Sequence, residues 1–93
     1  MATDVEISRA LNALTTTFND QRAQAFDASR AQQIVTGALG GERNLLAFAE
    51  GKRAGRLVNS DGQRVASVEH TGRRWTARRE RTVGESLVPE PHE

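Results

Sequence analysis

The stretch NLLAFAEGKRAGRLVNSDGQRVASVEHTGRRWTARR, running from Asn44 to Arg79, decides the fold of this chain. Three glycine-containing dipeptides punctuate it at nearly even spacing: Gly51-Lys52, Asp61-Gly62 and Thr71-Gly72. Each suits a two-residue loop between antiparallel strands, and Asp-Gly is the strongest of the three signals. The reading is four short strands in a meander. The competing helix across 42–58 would hold Gly51 and Gly55 in its interior, each at about 1 kcal/mol relative to alanine, so strands are preferred.

If all three loops contain two residues, the register follows. One face then carries four rows: Asn44, Asn59, Arg64 and Arg79; Leu46, Leu57, Ala66 and Ala77; Phe48, Gly55, Val68 and Trp75; Glu50, Arg53, His70 and Arg73. The two middle rows are apolar or small and the two outer rows are polar, as expected of a face turned toward a core. Gly55 leaves room for large rings beside it. Glu50 faces Arg53 as a favourable cross-strand pair. A slip of one residue in any hairpin would send a strand's apolar set to the other face.

The opposite face reads Leu45, Val58, Val65 and Arg78; Ala47, Arg56, Ser67 and Thr76; Ala49, Ala54, Glu69 and Arg74. It is flat and studded with Arg56, Arg74 and Arg78, with Leu45, Val58 and Val65 as an apolar strip along one edge. Arg73, Arg79 and Arg81 are expected at the rim of the core-facing side. Cations beside an apolar strip suit a protein interface. These residues are the candidate partner-binding set; a solvated sheet face that keeps a small protein soluble is the plainer alternative.

A meander needs cover, and the N-terminal part supplies it. Thr3 or Asp4 caps a first helix with Glu6 in its first turn. Ile7, Leu11, Leu14 and Phe18, with Ala10, recur at helical spacing and form one apolar stripe. The β-branched run Thr15–Thr17 favours a rival strand over Leu14–Phe18. Asn19-Asp20 is a plausible stop. Asp27 or Ser29 caps a second helix with Ala31, Ile34, Val35 and Ala38 on its apolar face, closed by Gly40-Gly41. Residues 19–26 read as loop or continuing helix. The expected fold is α+β: two N-terminal helices packed on one face of a four-stranded antiparallel meander, in the order ααββββ.

Residues 1–81 are taken as a single domain. Residues 82–93, with Pro89, Pro91, Glu85, Glu90 and Glu93, read as a flexible acidic tail. The 93 residues, 37 % hydrophobic, suffice for one thin core. There is no cysteine, hence no disulfide and no thiolate metal site. No basic and apolar leader and no membrane-length apolar run is visible, so the expected compartment is the cytoplasm, with no membrane partner.

The net charge of +1 conceals a segregation. Ten of the thirteen basic residues lie between Arg43 and Arg81, where the net charge is +6, against −2 for residues 1–42 and −3 for 82–93. Only Lys52 among the thirteen is lysine; the rest are arginine, whose planar fork grips carboxylate or phosphate. A GC-rich genome would produce the same bias. In the run Arg73–Arg81, Trp75 among arginines suggests nucleic-acid contact, but the register puts Trp75 in the core.

No chemistry-bearing constellation emerges. His70 and His92 lack a second metal ligand nearby, the serines lack a histidine and carboxylate, and Gly37–Gly41 lacks the Lys-Ser/Thr ending of a phosphate loop. No enzyme activity, cofactor or metal is expected. Gly62–Val68 followed by Gly72-Arg73-Arg74 resembles the hairpin of small phage head–tail joining proteins over about a dozen positions, which implies a phage-encoded origin; those proteins continue into another helix where this chain has its acidic segment. The expected function is a small non-catalytic protein–protein binding module, a regulator, adaptor or inhibitor, docking its arginine-rich sheet face on an acidic protein surface or nucleoprotein machine. Direct sequence-independent nucleic-acid binding through the same arginines is the alternative. A structural subunit of an oligomer or virion is the third.

Overall fold

The computed structural model describes residues 3–41 and 44–80, in the order α1 (Asp4–Asp20), α2 (Ala28–Ala38), β1 (Leu45–Gly51), β2 (Ala54–Asn59), β3 (Arg64–Thr71) and β4 (Arg74–Arg79). The four strands form one antiparallel sheet in sequential order, with β1 and β4 as its edges. Both helices lie on one face, α1 over β3 and β4 and α2 beside β1. The expected ααββββ architecture is the observed one. Arg81 and the acidic segment 82–93 lie outside the described residues.

Thr3 is the cap of α1, and its hydroxyl accepts from the Glu6 amide while the Glu6 carboxylate accepts from the Thr3 amide, a reciprocal capping box. Ile7, Ala10, Leu11, Leu14 and Phe18 are all buried on one side. The helix runs through the threonines instead of yielding to a strand, because burial of Leu14 and Phe18 outweighs their weak propensity. Asp27 caps α2 by accepting from the Arg30 amide. Its far end closes with a Schellman turn: the Gly41 amide donates to Thr36 O at 2.8 Å and the Gly40 amide to Gly37 O at 3.2 Å, with φ of +72° at Gly40 and +94° at Gly41.

The register departs from the expected one in each hairpin. In the first, the loop is Lys52–Arg53, and the ladder slips between Ala49 and Gly51, so Leu45 pairs with Asn59 and Ala47 with Leu57. This extra residue exchanges the faces of β1. Leu45 and Ala47 are buried in the core, while Phe48 is 41 % exposed. Leu46 and Phe48 therefore do not occupy the core rows assigned from the sequence.

In the second hairpin the loop has three residues, Ser60–Gly62, closed by the Asn59 amide donating to Gln63 O. Gly62 takes φ +82°, and Asn59 Oδ1 accepts from the Asp61 and Gln63 amides. The longer loop shifts the pairing by one, and a bulge at Val65 shifts it back: Val58 pairs with Arg64, yet Leu57 pairs with Ala66 as expected. The third loop is Gly72-Arg73, with Gly72 at φ +65°. Trp75 consequently pairs with His70 and not Val68, a displacement of two that preserves its inward direction.

The core centres on Trp75, which is 1 % exposed. Phe18 and Phe26 approach it with ring centroids 5.1 and 6.2 Å away, Phe18 edge-on. Its Nε1 donates to Ala23 O at 3.0 Å, which satisfies the indole in an apolar setting. Phe26 comes from the α1–α2 connection, held there by its amide donating to Lys52 O at 2.6 Å.

Candidate interaction face

The side of the sheet away from the helices is the face on which the arginines were expected. The observed pairings assemble its longest row across all four strands: Phe48, Arg56, Ser67 and Arg78. Beside it on one flank run Leu46, Val58 and Arg64, and on the other Ala54, Glu69 and Thr76, followed by Thr71 and Arg74. Of the residues assigned to this face from the sequence, Arg56, Arg74, Arg78 and Val58 are on it.

Leu45 and Val65 are not. Leu45 is fully buried and Val65 is 8 % exposed, both in the helix-facing core cluster. The slip at Glu50 turns Leu45 inward, and the bulge at Val65 does the same for that residue. The apolar strip is instead Leu46, Phe48 and Val58. The sequence carried a hint of this: Leu45-Leu46 is apolar on both faces of β1, so either parity was available. Arg79 lies on the helix side, where its Nη2 is 2.9 Å from Asp4 Oδ1 at the start of α1. Arg73 stands exposed in the last turn.

Phe48 and Arg56 form a unit, the Arg56 guanidinium lying 5.1 Å from the centroid of the exposed ring. Glu50, left out of the ladder by the slip, collects two arginines, one from β2 and one from β3. Arg64 grips it bidentately through Nη1 at 2.5 Å and Nη2 at 2.7 Å, and Arg56 Nη1 is 3.6 Å away. Arg64 Nε is also 2.7 Å from Glu80. A bidentate, multi-charge arrangement fixes side chains that single surface pairs leave loose. Val58, between Leu46 and Arg64 in register, is 8 % exposed.

Arg74 and Arg78 differ from these. Neither forms an ion pair among the described residues. The face therefore presents a braced aromatic–cation pair toward the β1 edge and, on β4, two arginines without an ion-pair partner among the described residues. Arg78 lines a shallow depression with Ser67, Glu69 and Thr76. Arg74 lines a separate cleft at the end of the sheet with His70 and Trp75.

The described residues contain no group of three or more histidine, cysteine, aspartate or glutamate side chains placed to hold a metal. No described helix is long and apolar enough to cross a membrane. No protein-family model, no curated protein and no solved structure matches this chain.

Proposed function

We propose that this chain is a small non-catalytic protein–protein binding module, a regulator, adaptor or inhibitor, that lays the helix-free face of its sheet on an acidic partner surface. The observation that carries the reading is the row Phe48–Arg56–Ser67–Arg78, which sets an exposed aromatic under its own cation at one end and, at the other, an arginine with no ion pair among the described residues. Aromatic and arginine side chains dominate binding energy at interfaces, and Leu46 and Val58 supply apolar area beside them. The partner expected has a carboxylate cluster over Arg74 and Arg78 and an apolar group over Phe48.

The test is recovery of partners from native lysate with the wild-type chain, with Phe48→Ala, and with Arg74→Glu plus Arg78→Glu. A partner retained by wild type and lost by both variants is expected. A partner recovered equally by all three removes this face from consideration.

Nucleic-acid binding on the same face is the second reading, and the exposed Phe48 ring beside Arg56 is what favours it. Bases stack on such rings while guanidiniums contact phosphate. Titration with DNA and RNA at two salt concentrations separates the readings. Direct binding weakens by roughly 0.9 log unit per log unit of salt for each phosphate neutralised on duplex DNA. A chain ending at Thr82 belongs in the same titration, since the acidic segment would compete with phosphate.

A further inference from the structure

At the end of the sheet where α1 gives way to the α1–α2 connection, a half-open cleft of about 780 Å³ is lined by Asn19, Arg22, Gln24, His70, Arg73 and Arg74, with Trp75 among its walls. Three arginines and a histidine line it, and among the described residues no acidic side chain does. Arg22, Arg73 and Arg74 form no ion pair among the described residues. Gathering like charges without a counter-charge is unfavourable unless an anion relieves it. The cleft volume falls within the range of small-molecule sites.

The backbone adds a second, independent observation. Arg22 has φ +53°, and among the described residues it alone takes a positive φ without being glycine. It closes α1 by a Schellman turn, in which the Ala23 amide donates to Phe18 O at 3.0 Å and the Arg22 amide to Asn19 O at 3.1 Å. Glycine is the residue this position favours, as Gly40 shows at the end of α2. A cation does suit a helix C-terminus. That preference is met equally well within the last helical turn, which here contains no basic residue. An arginine in a strained position, lining a cleft with two other arginines, is the pattern of backbone strain tolerated for function.

We propose that this cleft binds a small polyanion bearing phosphoryl groups, held by the guanidiniums of Arg22 and Arg73 with His70 alongside, while Arg74, whose side chain lies on the outer face, contributes at the rim. The planar guanidinium fork matches phosphate oxygens bidentately, and a single carboxylate would leave most of the cleft's charge unmatched. His70 packs against Trp75, ring centroids 5.0 Å apart and planes tilted by 36°, so its ring is positioned by the core while still lining the cleft.

The experiment is an NMR titration of isotope-labelled protein with sodium pyrophosphate at constant ionic strength. Saturable shifts are expected at Arg22, His70, Gly72 and Arg73. Arg22→Gly and Arg73→Ala should each weaken the dissociation constant about tenfold, the size expected for one charged hydrogen-bonding group. Arg22→Gly should also keep or raise the thermal midpoint, because glycine adopts φ +53° without strain; loss of affinity in that variant is then not loss of fold. Arg78→Glu should leave the titration unchanged, so failure of the outer face as a docking surface does not touch this result. A non-saturating drift shared by Arg9, Arg30 and Arg78 would overturn the proposal, as would an unchanged constant in Arg22→Gly. A parallel titration with a short single-stranded oligonucleotide identifies the source of the phosphate: shifts confined to Phe48, Arg56 and Arg78, with no pyrophosphate response at the cleft, would also overturn it.

Discussion

The far edge of the Phe26 ring abuts Gly55, so closely that a methyl group at position 55 would clash with Cζ and both Cε atoms. The connection between the helices is thereby locked to the middle of the sheet, and Phe26 completes the aromatic cluster with Phe18 and Trp75. A glycine in a strand interior often marks close approach of another group, and here the group comes from outside the sheet.

Gly55→Ala should destabilise the protein by about 2 kcal/mol, through overpacking against Phe26. In a Phe26→Ala background, itself destabilised by about 3 kcal/mol, the same change should be nearly neutral. Urea denaturation of the four-member cycle measures the coupling. Additive effects would show that ring and glycine do not meet.

The parity of β1 has an equally direct test. Leu45→Ala should cost about 3 kcal/mol, as a fully buried side chain leaving a cavity. Phe48→Ala should cost about 1 kcal/mol or less, because the ring is 41 % exposed and loses chiefly its contact with Arg56. The reverse ranking in thermal or chemical melts would restore the register read from loop lengths alone.

Each edge of the sheet is clamped by one side-chain amide from the helix layer. Asn19 Oδ1 accepts from the Trp75 amide at 2.6 Å and its Nδ2 donates to Trp75 O at 3.0 Å, on the β4 edge. Gln32 Oε1 accepts from the Ala47 amide at 2.8 Å and its Nε2 donates to Leu45 O at 3.0 Å, on the β1 edge. Each amide occupies backbone groups that another strand would use. Asn19→Ala and Gln32→Ala should each lower stability by about 1–2 kcal/mol. The double variant should self-associate at concentrations where the wild type does not, which light scattering detects.

Arg64→Met should lower stability by about 1 kcal/mol or less at low salt, since Arg64 and Glu50 remain partly exposed and only the bidentate geometry raises the pair above the surface norm. The difference should shrink as salt is raised, because the charges are screened. A difference indifferent to salt in paired melts would assign the contribution of Arg64 to its packing over the outer face.

The places where the sequence reading and the structure part company share a cause. Helix caps and stripes were legible because they are local: Thr3 with Glu6, Asp27, Gly40-Gly41, and the Ile7–Phe18 stripe each act within a few residues. The inward direction of Trp75 was legible too, although its partner was two residues away from the one expected, since an even shift keeps the face. The slip at Glu50 left no such mark. Leu45 through Ala49 is apolar at every position, so a period of two has no contrast to register there.

By itself, then, the chain's order of residues determined the ααββββ succession, the candidate caps of each helix, the neighbourhood of the three turns, and the concentration of arginine on the sheet half. Only the assembled tertiary structure decided which side of β1 is buried, that Phe26 and not Phe48 fills the space over Gly55, that Asn19 and Gln32 close the edges, and that Arg22 stands beside Arg73 and Arg74. The physical reason is that caps, stripes and turns are set by interactions a few residues apart. Strand parity and cleft composition are set by which distant surfaces bury the most apolar area together, and one bulged residue shifts that balance without a local signature.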